Sequence, residues 1–190
     1  MRIISGKYRG RKLVDCKAFR ALRPTSDKNR ENLFNVLFSS KAIKATGFEL
    51  QNSHLLDVFS GSGAVSFEAL SRGALSAAMI DNNREHLEIA KANAEMLQEN
   101  NLEYFCFDVS KTIFKNRRQY NLIFIDPPYY KNLAATAVIN LLNAGWIEDN
   151  ALIIIEHSLD EKLAEIEQKL KLLEQRKYKD TIFSFYTKLQ

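Results

Sequence analysis

Two cysteines in 190 residues are too few, and too far apart, to build a framework on. Cys16 and Cys106 fall in no metal-ligand spacing, which argues against a disulfide scaffold or a zinc site and fits a reducing compartment. Histidine is equally sparse. His54, His86 and His157 stand alone and read as packing or surface residues, so no metal centre is expected. No apolar run exceeds strand length and nothing resembles a signal peptide, which predicts a soluble, cytoplasmic protein without a membrane segment. Repeats, low-complexity tracts and flexible linkers are also missing. What remains is 46% hydrophobic, enough for one substantial core with at most a small appendage.

Charge is present but unevenly placed. The net charge is +4, yet residues 1–30 hold ten Lys and Arg against Asp15 and Asp27, a local +8, which leaves −4 for the rest. A basic arm on a mildly acidic body fits a localised polyanion contact. Arg2 to Gly6 and Arg11 to Asp15, joined through Lys7-Tyr8-Arg9-Gly10, read as a β-hairpin. The expected division is an arm over residues 1–25 and a main domain over 26–190.

The most informative short stretch is Asp126-Pro127-Pro128-Tyr129, directly after the apolar run Leu122-Ile123-Phe124-Ile125. The run reads as a buried parallel strand, and prolines at its carboxyl end stop the ladder. Ligands of open α/β sheets bind outside such strand ends. A carboxylate, a carbonyl freed by the next proline and a flat ring suit an exocyclic amine on a planar base. Its two N–H groups would donate to the Asp126 carboxylate and the Pro127 carbonyl, and Tyr129 would stack on the base for roughly 1–3 kcal/mol.

A second stretch, Leu55-Leu56-Asp57-Val58-Phe59-Ser60-Gly61-Ser62-Gly63, is a strand running into a glycine turn, followed by a helix from Ala64 to Arg72. Gly61 and Gly63 allow close backbone approach to a ligand at a helix N-terminus. Ser66 stands where a dinucleotide fingerprint wants Gly or Ala, which disfavours a nicotinamide enzyme. Asp81 closes the next strand and suits two ribose hydroxyls; Asp108 follows a further strand and suits an adenine amino group. Three acids at consecutive strand ends beside a glycine turn predict a nucleotide-like cofactor site.

The rest of the pattern alternates. Past Pro24, Thr25 or Ser26 caps a helix carrying Leu33, Phe34, Leu37 and Phe38 on one face. Residues 41–52 read as a loop or frayed connection. Strands are predicted at 54–58, 77–81, 102–107, 120–126 and 151–156, with helices at 63–72, 84–99, 110–116 and 132–144. A further helix is expected to place Leu159, Leu163, Ile166 and Leu170 on one stripe. Segments 171–179 and 181–188 sit too close for a parallel crossover and must form a hairpin. Strands alternating with helices imply a doubly wound sheet.

These residues resemble a known family, the RsmD family of S-adenosylmethionine-dependent guanine-N2 methyltransferases of 16S ribosomal RNA. The likeness spans nearly the whole chain. It rests on Arg2-Ile3-Ile4-Ser5-Gly6 with Arg9-Gly10-Arg11-Lys12-Leu13, on Leu22-Arg23-Pro24-Thr25-Ser26-Asp27 with Arg30-Glu31, on the glycine turn, and on Glu68-Ala69-Leu70-Ser71-Arg72-Gly73-Ala74. Ser5, Ser60 and Ser66-Phe67 depart from the family's usual Gly, Ala and Gly-Leu. The resemblance implies a Rossmann-like class I methyltransferase: an α/β fold whose seven-stranded, mostly parallel sheet has an antiparallel last strand, plus the N-terminal β-hairpin. It implies catalysis by Asp126, Pro127 and Tyr129, and cofactor contacts from Asp57, Phe59, Gly61, Gly63, Asp81 and Asp108. RNA contacts are expected from Arg2, Lys7, Arg9, Arg11, Lys12 and Arg23, with 16S RNA or the small-subunit particle as partner and a monomer as the working state. Adenine-N6 DNA methyltransferases share Asp-Pro-Pro-Tyr but usually carry a target-recognition domain, for which no segment is long enough. Release-factor glutamine methyltransferases use Asn where Asp126 stands. A non-catalytic RNA-binding module is the reading from a different class.

Overall fold

The computed structural model describes residues 1–14, 26–111, 113–116, 118–128, 133–161 and 163–189. The expectations for Cys16, Arg23 and Tyr129 lie outside them.

Ser26 starts the first helix, α1 (Asp27–Ser39): its hydroxyl accepts the Asn29 N–H at 3.1 Å, supplying a partner the helix end lacks. Leu33, Phe34 and Leu37 recur at helical spacing and are buried, while Phe38 turns outward. Residues expected as loop contain α2 (Lys41–Lys44) and a 3-10 turn (Leu50–Asn52). Ser40 ends α1 and caps α2 by accepting the Ile43 N–H.

The chain then alternates through β1 (His54–Val58), α3 (Ala64–Ser71), β2 (Ser76–Asp81), α4 (Arg84–Leu97), β3 (Leu102–Cys106), β4 (Tyr120–Ile125), α5 (Leu133–Asn143), β5 (Ile147–Ser158), β6 (Leu170–Tyr178) and β7 (Thr181–Lys188). One seven-stranded sheet results, in the order β3-β2-β1-β4-β5-β7-β6. The first five of these strands pair in parallel. β7 runs antiparallel to both β5 and β6. The expected seven strands and antiparallel last strand are therefore present.

Both faces are covered. Leu56, Val58, Ile123, Ile125, Ile153 and Ile155 pack against α5 on one side. Their neighbours Leu55, Leu122, Phe124, Leu152 and Ile154 meet α1, α2 and α3 on the other. Near-continuous apolar runs in β1, β4 and β5 are what a strand buried on both faces requires.

Three expectations are corrected. Among the described residues of 110–116 no helix forms; they are turn and irregular chain, tied by Asn140, whose amide donates to the Val109 and Lys111 carbonyls. The stripe from Leu159 to Leu170 is no continuous helix: a single 3-10 turn (Ala164–Ile166) leads into β6. Leu163, Ile166 and Leu170 are buried all the same, whereas Leu159 is exposed, so the spacing reported burial at three of four positions and misreported the element. The N-terminal hairpin shrinks to one bridge, Arg2 with Lys12, closed by Ile3 N–H to Arg11 and Gly10 N–H to Ile3. It carries its apolar residues inward: Ile3 and Leu13 join Phe67, Met79, Leu87, Ala90, Ala94 and Leu97 in a third cluster between α3 and α4. No helix among the described residues is long and apolar enough to cross a membrane.

Candidate active site

The glycine turn leaves the carboxyl end of β1 under tight control. Phe59 already has a positive φ of 63°, uncommon for a bulky residue. The Ser60 N–H donates to the Ile80 carbonyl, and the Gly63 N–H donates to Ser60 at 2.9 Å. Gly63, at φ 80°, opens α3, and a Cβ there would lie 2.6 Å from the Met79 methyl and 2.9 Å from the Phe67 ring. No other residue fits that position without moving both side chains.

Three carboxylates surround this turn. Asp57 is buried behind it, where one oxygen accepts both the Ser66 N–H at 3.2 Å and the Ser66 hydroxyl at 2.6 Å. Ser66 is thus the direct partner of Asp57. Burial raises the Asp57 pKa to about 7; the Ser66 bonds oppose the rise, and the nearby charges of Asp126 and Asp81 reinforce it. Asp81 accepts the Gly61 N–H at 2.9 Å on one oxygen and the Asn83 N–H at 2.8 Å on the other, which also meets His86 Nδ1 at 3.1 Å. The Asp81 oxygen that accepts from Gly61 keeps a second lone pair, so a hydroxyl donor still has an acceptor there.

Asp126 follows β4, adjacent to β1 in the sheet, and its N–H donates to the Val58 carbonyl at 3.3 Å. This bond places the Asp-Pro-Pro stretch directly beside the start of the glycine turn. Pro127 is buried, and Asp126 and Pro128 are partly exposed. Asp108 stands beyond β3, two strands from β1. One of its oxygens accepts the Ser110 N–H at 3.0 Å and hydroxyl at 2.6 Å, and these bonds hold its carboxyl below the usual range against a smaller effect of burial.

The described part of the basic arm, residues 1–14, lies along the groove between α3 and α4. Its Ile4 and Ser5 N–H groups donate to the buried Glu68 carboxylate at 2.8 and 3.1 Å. The Lys7 and Tyr8 N–H groups donate to the Ser71 carbonyl and hydroxyl. Gly6 sits so close that a Cβ would come within 1.8 Å of the Ser71 oxygen. At the other end, Val14 exchanges two hydrogen bonds with the Asn93 amide. Arg2, Arg9, Arg11 and Lys12 are exposed. Lys7 is committed elsewhere: its ammonium pairs with Glu99 at 2.7 Å and lies 4.7 Å over the Tyr8 ring. Burial would lower its pKa, but the hydrogen bonds to Glu99 and Tyr8 outweigh that and hold it raised.

Glu68, Ser71 and Asn93 carried no assigned role in the sequence. Glu68 and Ser71 belong to the Glu-Ala-Leu-Ser-Arg-Gly-Ala signature, and docking the arm accounts for both. Asn93 was hidden inside the apolar spacing of α4, where a buried amide among Ala90, Ala94 and Leu97 was the available signal. Among the described residues no group of His, Cys, Asp and Glu is arranged to hold a metal ion.

The strand order, the glycine turn opening α3 and the acids at strand ends define a Rossmann-like, methyltransferase-type α/β fold. The family described as Conserved hypothetical protein 95 matches residues 1–187, and the chain belongs to it. Ribosomal RNA small subunit methyltransferase D of Escherichia coli is 33% identical over 163 residues, covering 86% of this chain and 77% of that protein. The protein of the same name from Haemophilus influenzae is 32% identical over 173 residues, covering 86% and 81%. A solved putative methyltransferase from Escherichia coli superposes with a TM-score of 0.83 at 31% identity, covering 99% of this chain and 97% of the other.

Proposed function

We propose that this protein transfers a methyl group from S-adenosylmethionine to the exocyclic N2 of a guanine in 16S ribosomal RNA. The names of its relatives support a ribosomal RNA methyltransferase. The observation that carries the reading is the adjacency of Asp126 and the glycine turn, joined through the Asp126 N–H and the Val58 carbonyl. Donor and acceptor of the methyl group thereby have neighbouring strand ends to occupy.

The chain fits the cofactor. The glycine turn brings backbone to the mouth of α3, and the Asp81 and Asp126 carboxylates stand beside it, where a cationic sulfonium would be favoured. S-adenosylmethionine supplies an activated methyl group on a good leaving group. The protein's task is then chiefly alignment. Asp81 holds the ribose, and Asp108 takes the adenine edge. The Asp126 carboxylate and Pro127 carbonyl accept the two amine N–H groups, and the carboxylate stabilises positive charge developing on nitrogen. Tyr129 stacks on a base withdrawn from its helix. Residues 1–25 act as the RNA-contacting arm, with Arg2, Arg9, Arg11 and Lys12 in contact with phosphates.

The test is transfer of tritiated methyl from S-adenosylmethionine to 16S RNA, naked and within small subunits, followed by nucleoside analysis. N2-methylguanosine is the expected product. N6-methyladenosine, or no transfer to either form, overturns the reading.

A further inference from the structure

Asn93 is fully buried on α4, and its amide makes three hydrogen bonds to backbone that α4 does not own. Its Oδ1 accepts the Val14 N–H at 2.7 Å. Its Nδ2 donates to the Val14 carbonyl at 3.0 Å and to the Ser62 carbonyl at 3.2 Å. Val14 belongs to the basic arm, and Ser62 lies between the two glycines of the turn. One side chain thus touches both.

The two ends differ in how else they are held. Ser60, Gly61 and Gly63 anchor the turn through their N–H groups, whereas the Ser62 carbonyl bonds to Asn93. That carbonyl belongs to the peptide plane that also carries the Gly63 N–H, at the mouth of α3. The arm is fastened at Ile4 to Tyr8 on Glu68 and Ser71, and again at Val14 on Asn93. A buried amide strongly resists leaving its donors and acceptors unmade. Displacing Val14 therefore shifts the amide, and shifting the amide reorients the peptide of the turn.

We propose that Asn93 is a positioning residue that couples the arm to the cofactor turn, so that RNA on the arm and cofactor on the turn tighten each other's binding. The inference rests on the functional reading above. Whichever ligand arrives first fixes the Val14–Asn93–Ser62 linkage, and the second meets a smaller ordering cost. Linkage requires the same factor in both directions, which gives an internal check.

The experiment measures S-adenosylhomocysteine affinity by titration calorimetry with and without saturating 16S RNA, naked and in small subunits. RNA affinity is measured in turn with and without S-adenosylhomocysteine. In the wild type each ligand should raise the other's affinity by at least about five-fold, the low end of ordinary coupling. Asn93→Ala should abolish that factor while the exposed arm charges still bind RNA. Val14→Pro removes the N–H that Asn93 accepts and leaves the amide buried, and its exposed side chain makes it the safer variant; it should also diminish the factor. A merely structural Asn93 would lower stability and leave the factor intact. Persistence of coupling in Val14→Pro, or independent binding of both ligands by the wild type, overturns the proposal. Wild type that binds S-adenosylhomocysteine but neither form of RNA overturns the functional reading, and the coupling falls with it.

Discussion

The Glu68 carboxylate accepts the Ile4 N–H at 2.8 Å across 64 residues of chain, and it does so while wholly buried. The same carboxylate accepts from Arg72 Nε at 2.6 Å and stands 3.6 Å from Arg30 Nε. The Arg30 guanidinium is itself buried and donates to the Arg2 carbonyl and to Asp27. An ion network thus joins α1, α3 and the arm. Removing one partner leaves the others charged and out of water, so Glu68→Ala should cost about 3–5 kcal/mol in urea denaturation. Loss below 1 kcal/mol would mean that solvent already screens the network.

A second prediction concerns Gly6. With φ at 85° and the Ser71 oxygen in the way of any Cβ, Gly6→Ala must lift the arm from α3. Hydrogen exchange at the Lys7 and Tyr8 amides should accelerate sharply, while β1 and β4 amides stay protected. Unchanged exchange at Lys7 would show that the arm tolerates the methyl by sliding.

Asp57 gives the protein a pH dependence of definite sign. A carboxyl whose folded pKa, about 7, stands above its ordinary value holds its proton more tightly when folded. Its contribution favours folding at low pH and is lost as pH rises from about 4 to about 7, at up to about 1.4 kcal/mol per pH unit. Asp57→Asn keeps an acceptor for Ser66 without the titration. The stability difference between wild type and variant, measured by denaturation at pH 5 and pH 8, should move toward the variant at the higher pH. A difference independent of pH would rule out the raised pKa.

Asp126 and Asp81 should fail in different ways. Asp126→Ala is expected to lose methyl transfer with little change in S-adenosylhomocysteine affinity, because in the proposed reaction its carboxylate serves the amine. Asp81→Ala should weaken the cofactor first, since it loses the proposed ribose acceptor and the Gly61 N–H partner together. Calorimetry alongside turnover separates the two; wild-type turnover in the first variant, or wild-type affinity in the second, would reverse the assignment.

The arm can be tested by charge. Reversing Arg9, Arg11 and Lys12 to Glu should weaken RNA binding and flatten its salt dependence, which falls by roughly 0.7–0.9 in log–log slope per phosphate contact. Lys7 is the internal contrast, since its ammonium is already paired with Glu99. Lys7→Ala should loosen the docked arm and leave the slope nearly unchanged. An intact slope in the triple variant would move the RNA surface elsewhere.

Much of this architecture was legible because the strands announce themselves. Leu122 to Ile125 are apolar on both faces and Leu55 to Val58 are apolar but for Asp57, and each run leads into a turn former. Segments that depend on tertiary contact were not. Leu163, Ile166 and Leu170 have helical spacing, yet they are buried by a 3-10 turn and a strand, since spacing alone does not fix the element. The arm's alternation predicted two full strands, but its two segments share a single bridge, and much of its backbone bonds instead to Glu68, Ser71 and Asn93. At the site, the acids were readable one by one at strand ends. Their mutual effect on Asp57, and the commitment of Lys7 to Glu99, arise only once distant segments meet.

The place of β7 has a consequence for the order in which the molecule can be assembled. β7 follows β6 in the chain but lies between β5 and β6 in the sheet. While β6 is being synthesised it has no neighbour to pair with, and the β5 flank carrying Ile153 and Ile155 is an open, sticky rim. Only when Thr181 to Lys188 emerges do both rims close in one step. A nascent chain paused after Tyr178 is therefore predicted to be the most aggregation-prone species this protein ever forms, and the one on which a chaperone would act.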